Sequence, residues 1–375
     1  MLGPPSPLKS GLGTHVGGAW ALAPAPHAAR RPPASSRPIV RTRSEPVKRI
    51  RSVCLALLCG VWARPSDTRV STVRTICLPD DQAKQLVGST PDVNVVVWDG
   101  VGEPPAGIDQ VEFLVGAYGG GTMSPEALAR MPRLSVIQLL SAGVEPWLPV
   151  VPPGVVLCNG RGIHGGPTAE LAIAGLLAVL RELPRFVEQQ RDRVWRVSEG
   201  HSLDGLRVLV LGAGDIGQRV AAVVGLMEAE ATLVARHQRP GVESMAALPG
   251  LLAQHDVVVV ALPLTPETEG LIDAVFLAAM RDGAVLVNVA RGKIVHTTAL
   301  VAELQAQRLR AFLDVTEPEP LPVDHPLWTA PGVLITPHVG GGTPGWANRA
   351  YRLVREQVSR FVAGEPLRNV VIEGY

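Results

Sequence analysis

At 375 residues, with 46% hydrophobic and 18% charged residues, the chain suits two packed domains and excludes a wholly disordered polypeptide. Of its 35 Lys+Arg and 34 Asp+Glu, residues 1–69 hold 11 and two, so the remainder carries 24 against 32 and is net acidic, which argues against nucleic-acid binding. The four cysteines (Cys54, Cys59, Cys77 and Cys158) show neither metal-ligand spacing nor a disulfide pattern, which fits a reducing, cytoplasmic setting.

Residues 1–69 contain ten prolines and no sustained periodicity, so they are expected to be a disordered extension. Within them "KRIRSVCLALLCGVWA", Lys48–Ala63, resembles the basic and apolar regions of a secretion signal. It begins nearly fifty residues in, and its apolar run is too short to span a bilayer, so no membrane partner is expected. The composition changes abruptly near Val70, where we expect the native chain to start.

From there short apolar runs alternate with helix-like segments. "VRTICL", "VNVVVW", "VEFLVG", "SVIQLL" and "GVVLCN" read as parallel strands covered on both faces. Pro167–Gln190 reads as one long buried helix opened by Pro167 or Thr168. A second series follows: "RVLVLGAG", "EATLVAR", "DVVVVALP", "AVLVNVARG", "RAFLDVTEP" and "VLITPHVGG". A last helix lies in "TPGWANRAYRLVREQVSRFVAG". The alternation predicts an α/β fold of two doubly wound parallel-sheet domains with a cleft between them.

"LVLGAGDIGQRV" places Gly212, Gly214 and Gly217 between a strand and a helix, with Asp215 and Ile216 inside the loop. That context reads as a dinucleotide-binding turn, in which backbone approaches a pyrophosphate at a helix N-terminus. An acid after the second strand would bond an adenosine ribose; "TLVARHQRP", Thr232–Pro240, offers Arg236 and Arg239 instead. Two guanidinium groups suit a 2′-phosphate, so NADP(H) is preferred, with NAD(H) the second candidate. A solvated basic loop is the alternative.

Three later strands end in reactive residues: Arg291, then Asp314 and Glu319, then His338. Hydride chemistry on a 2-oxo acid needs a planar cation to clamp the carboxylate, which suits Arg291. It needs a proton donor to the nascent alkoxide, which suits His338, and a carboxylate to orient that imidazole, which suits Glu319.

From about Arg74 to Val371, "GAGDIG", "LPLTPET", "VNVARG", "DVTEPEP" and "TPHVGG" occur in order, and the chain resembles the D-isomer-specific 2-hydroxyacid dehydrogenases. The resemblance implies that Arg291 binds substrate, that Glu319 pairs with His338, and that the amides of Ala142 and Gly143 in "SAGVE" hold the substrate carboxylate. It implies cofactor contacts at Pro263, Thr268, Ala290, Asp314 and Gly340. It also implies a Rossmann nucleotide domain, 167–341, inserted into a flavodoxin-like catalytic domain of residues 70–166 and 342–375, and a homodimer. Glu319 stands where formate dehydrogenases of the family place Gln, which makes formate an unexpected substrate. The end at Tyr375 argues against the long phosphoglycerate dehydrogenases. Arg161 and His164, in "NGRGIHGG", fall in a loop where family members vary, either shaping specificity or simply exposed. Thr316 replaces a frequent aromatic residue. The expected activity is reduction of a small 2-oxo acid such as glyoxylate or hydroxypyruvate; the alternative is an NAD(H)-sensing, corepressor-like binding protein of the same fold.

Overall fold

The structure, a computed structural model, describes residues 73–119 and 121–372. The expectations for residues 1–69 and for a start near Val70 lie outside the described residues.

The first sheet is built in chain order from β1 (Arg74–Leu78), α1 (Asp81–Val87), β2 (Val93–Val97), β3 (Phe113–Val115), α2 (Pro125–Leu128), β4 (Val136–Gln138) and β5 (Val156–Cys158). Its strands are all parallel, in the order β2-β1-β3-β4-β5. Side chains alternate across it. Ile76, Leu78, Phe113 and Val115 pack on one face, while Cys77, Leu114 and Ile137 pack on the other with Trp98 and Trp147. Local chemistry sets the helix ends: the Asp80 carboxylate accepts the Ala83 N–H at 2.6 Å and starts α1, and Gly88 ends it.

The chain then runs through α3 (Gly165–Leu180), α4 (Leu183–Arg191), β6 (Arg207–Leu211), α5 (Asp215–Leu226), β7 (Glu230–Ala235) and β8 (Val242–Ser244). It continues as α6 (Leu248–Leu252), β9 (Val257–Val260), α7 (Ala274–Ala279), β10 (Val285–Asn288), α8 (Thr297–Gln305), β11 (Arg310–Leu313) and β12 (Val333–Ile335). These seven strands form a second parallel sheet, ordered β12-β11-β10-β9-β6-β7-β8. Val208, Val210, Val257, Val259 and Phe312 face α3 and α5, while Leu209, Leu211, Val258 and Val260 face α6, α7 and α8.

The closing helix α9 (Trp346–Ala363) returns to the first sheet, where Tyr351, Val354 and Val358 join the core of Ile76 and Phe113. A buried amide pair fixes that return: Gln357 Nε2 donates to Gln138 Oε1 at 2.8 Å, and Gln138 Nε2 donates to the carbonyls of Leu139 and Asn159 at 2.7 and 3.0 Å.

Two expectations change. The single helix Pro167–Gln190 is two helices, because Glu182 is left-handed (φ 54°) and Pro184, in the first turn of α4, lacks the N–H to continue a ladder. The first of them starts at Gly165, ahead of Pro167. The short edge strand β8 has no counterpart in the sequence reading, since three residues carry too little periodicity. Among the described residues no helix is long and apolar enough to cross a membrane.

Candidate active site

In open parallel sheets ligands gather beyond the carboxyl ends of strands, at the point where strand order reverses. Here those points lie between β1 and β3 and between β6 and β9. Loops from both sheets surround one cavity of about 600 Å³. The first sheet contributes Tyr118, Ser141, Ala142, Gly143, Trp147 and Arg161; the second contributes Gly214, Asp215, Ile216, Arg291, Asp314, His338 and Gly340.

The glycine loop is shaped for close backbone approach. Gly212 has φ 111°, and a Cβ there would strike the Ala261 carbonyl; a Cβ on Gly217 would strike the Gly212 carbonyl. Gly214, which precedes α5, has open space where a Cβ would stand. An open glycine at the N-terminus of a twelve-residue helix fits a pyrophosphate. Asp215 Oδ1 accepts from Arg219 Nε at 2.8 Å, while its Oδ2 is buried without a partner.

The basic segment after β7 is already engaged. Arg236 pairs with Glu267 at 3.4 Å, and Arg239 Nη2 donates to the Ala213 carbonyl of the glycine loop at 3.0 Å. Thr268 Oγ1 donates to the Pro263 carbonyl at 2.7 Å, closing the "LPLTPET" turn on itself. Gly212, Gly217, Arg236, Arg239, Pro263, Thr268 and Ala290 lie outside the cavity lining.

The reactive residues converge. His338 follows β12 with φ 52°, a left-handed geometry that costs a non-glycine residue strain. Asp314, 2% exposed, holds that turn: its carboxylate accepts Thr336 Oγ1 at 2.6 Å and the N–H groups of Val339 and Gly340, each at 2.9 Å. Its carbonyl accepts the His338 N–H at 2.8 Å. Glu319 Oε1 stands 2.5 Å from His338 Nδ1, so the free ring nitrogen is Nε2; Glu319 itself does not line the cavity. Arg291 enters after β10, where Nη1 donates to the Ala290 carbonyl at 2.8 Å. Nε faces Glu145 Oε1 at 3.2 Å, and Nη2 lies where a Cβ on Gly143 would have to be. The guanidinium therefore meets the Ala142–Gly143 loop.

Glu145 was not assigned from sequence, although it stands two residues beyond Gly143 in the same quoted loop. The stacking of Tyr118 on His164 (5.0 Å) and its tilted contact with Trp346 (4.2 Å) had no sequence signal, since three distant segments supply them. His164 is not simply exposed: Nε2 contacts the Leu140 carbonyl at 3.0 Å and Nδ1 that of Gly341 at 3.3 Å, and burial lowers its pKa. Thr316 is buried, with its hydroxyl on the Pro318 carbonyl at 2.9 Å, and takes no part in the cavity wall.

The D-isomer specific 2-hydroxyacid dehydrogenase NAD binding domain matches residues 173–340. A glyoxylate reductase/hydroxypyruvate reductase of Homo sapiens is 33% identical over 249 residues, 63% of this chain and 76% of that protein. The chain belongs to the D-isomer-specific 2-hydroxyacid dehydrogenase family. It is also similar to a D-3-phosphoglycerate dehydrogenase of Mycobacterium tuberculosis, 34% identical over 264 residues, 68% of this chain but only 50% of that protein's length. The solved D-isomer specific 2-hydroxyacid dehydrogenase of Xanthobacter autotrophicus Py2, in complex with NADPH and MES, is 31% identical, with TM-score 0.70, covering 81% of this chain and 100% of that one. Membership makes the protein an NAD(P)-dependent dehydrogenase and bears out the expected pair of parallel-sheet α/β domains.

Proposed function

We propose that the protein reduces a small 2-oxo acid to the D-2-hydroxy acid and prefers NADPH to NADH. The observation that carries this reading is the meeting of Arg291, Ala142, Gly143 and His338 on one cavity, with Glu319 behind the imidazole. Arg291 and those amides hold the substrate carboxylate, and the guanidinium polarises the neighbouring carbonyl. His338 delivers a proton from Nε2 to the developing alkoxide, while Glu319, on Nδ1, orients the ring. When bound, the nicotinamide supplies the hydride. Asp314 fixes the His338–Gly340 turn, and the Gly212–Gly217 loop receives the pyrophosphate; Pro263, Thr268 and Ala290 flank the nucleotide. In this assignment residues 167–341 are the nucleotide domain, and 70–166 with 342–375 the substrate domain.

The cofactor preference rests on Arg236 and Arg239, with no acid between β7 and β8, and is supported by the Xanthobacter relative holding NADPH. The activity of the human relative makes glyoxylate and hydroxypyruvate the first acids to try. The test is NADPH consumption with a panel of 2-oxo acids. If none is turned over and Arg291→Ala changes nothing, the reading fails.

The protein also acts as a homodimer. Leu183 and Val187 on α4 are exposed, as are Val194, Trp195 (98%) and Val197 just after it, an apolar strip that costs free energy in water. Light scattering that returns a monomer at micromolar concentration overturns this. A reducing cytoplasm suits Cys77 and Cys158, whose thiols burial pushes up to about 12 and about 11.

A further inference from the structure

The wall that the first sheet gives to the cavity is almost without charge. It includes glycines, Ala117, Tyr118, Leu139, Leu140, Ser141, Ala142, Pro146 and Trp147, and among its described residues Arg161 alone is a Lys, Arg, Asp or Glu. The guanidinium makes no ion pair or hydrogen bond with any described residue.

The backbone beneath it is held firmly. The Arg161 N–H donates to Asn159 Oδ1 at 3.1 Å, and its carbonyl accepts Asn369 Nδ2 at 3.0 Å. One residue earlier the Gly160 N–H donates to the Ser141 carbonyl at 2.6 Å. A Cβ on Gly160 would stand 2.6 Å from the Leu140 carbonyl carbon, so the loop after β5 lies directly on the loop after β4. Arg161 is therefore displayed beside the Ser141–Gly143 loop, from the next strand over, a spacing of about 4.8 Å.

We propose that Arg161 reads a second anionic group, at the end of the 2-oxo acid away from the carboxylate held by Arg291. The preferred substrate is then a 2-oxo acid with a second anionic group, a carboxylate or a phosphate ester, on its tail. This inference rests on the reading of the cavity as a 2-oxo acid site. A monocarboxylate needs one cation, and Arg291 with the 142–143 amides supplies that need. A neutral tail would be served by the apolar wall alone. A guanidinium without a partner among the described residues, on a fixed backbone, adds directional donors that only an anion or a strong acceptor uses fully.

The test compares three acids that share the 2-oxo acid head and differ in the group on C3, with the full chain and NADPH: hydroxypyruvate, oxaloacetate and 3-phosphohydroxypyruvate. The readout is the ratio of kcat/KM for each anionic-tail acid to that for hydroxypyruvate, in wild type, Arg161→Ala and Arg161→Lys. Wild type should favour at least one anionic-tail acid. Arg161→Ala should collapse that ratio by about 10- to 100-fold, chiefly through KM, with Arg161→Lys intermediate. Which acid is favoured tells carboxylate from phosphate. An equal fall for all three acids overturns the proposal, because Arg161 then serves the shared carboxylate. A wild type that favours hydroxypyruvate, or a ratio unmoved in Arg161→Ala, overturns it too. Failure of the wild type to reduce any 2-oxo acid sinks the activity reading itself, a distinguishable result.

Discussion

Glu145 Oε1 lies 3.2 Å from Arg291 Nε, an ion pair without hydrogen-bond alignment, so a loop of the first sheet sets a carboxylate against a guanidinium that the second sheet supplies. With Nη1 committed to the Ala290 carbonyl, Nη2 beside Gly143 is the end left for a substrate carboxylate. Glu145→Gln keeps the shape and removes the charge. We expect kcat/KM for the 2-oxo acid to fall about 10- to 100-fold through misorientation of Arg291, with the Kd for NADPH unchanged and Glu145→Asp partly rescued. Wild-type kinetics in Glu145→Gln, with only a lowered Tm, would leave the pair a structural one.

The 2.5 Å contact between His338 Nδ1 and Glu319 Oε1 commits one ring nitrogen and leaves Nε2 for proton transfer. His338→Ala should lower kcat by about 10²- to 10⁴-fold while NADPH still binds, the usual contribution of a positioned acid. Glu319→Gln should lower kcat less, because the ring remains but loses its charged partner. Stopped-flow traces showing an unaltered chemical step in either variant would remove that residue from the proton path.

The strands were legible because buried parallel strands are runs of Val, Ile and Leu, and the reactive residues were legible because each follows such a run. What stayed hidden depends on single backbone states and on contacts between distant segments. The break at Glu182 is one left-handed residue. Asp314 reads from sequence as a cofactor contact, yet its carboxylate is largely spent on the Thr336 hydroxyl and two amides of the His338 turn. The Tyr118–His164–Trp346 stack joins the loop after β3, the start of α3 and the start of α9, and no periodicity encodes it.

The proposed preference for NADPH rests in part on Arg236, whose side chain is 69% exposed and whose partner Glu267 is 63% exposed. Such a solvent-exposed pair is screened by water and salt and holds weakly, so a 2′-phosphate displaces it readily. Glu267→Gln should therefore raise the NADPH over NADH preference by a few-fold, about what loss of so weak a competitor allows. Arg236→Asp should erode the preference, mainly in KM for the cofactor. A wild type that favours NADH makes the basic loop merely solvated.

His255 gives a pH dependence with a defined sign. It is 1% exposed; Nδ1 meets the Leu251 carbonyl at 2.7 Å and Nε2 meets Thr232 Oγ1 at 3.0 Å. A neutral ring that donates from Nδ1 and accepts at Nε2 satisfies both contacts. Burial lowers its pKa below the ordinary 6.5; Arg207 also lowers it, while the Leu251 carbonyl and Asp256 act the other way. The unfolded chain thus takes up a proton first as pH falls. The stability due to this group is complete above 6.5, declines below it, and stops declining only beneath the folded pKa. His164, lowered mainly by burial, contributes with the same sign. His255→Gln, which retains a donor and an acceptor, should flatten the loss of urea midpoint between about pH 7.5 and 5.5. If wild type and variant lose the same increment over that interval, another group carries the acid sensitivity.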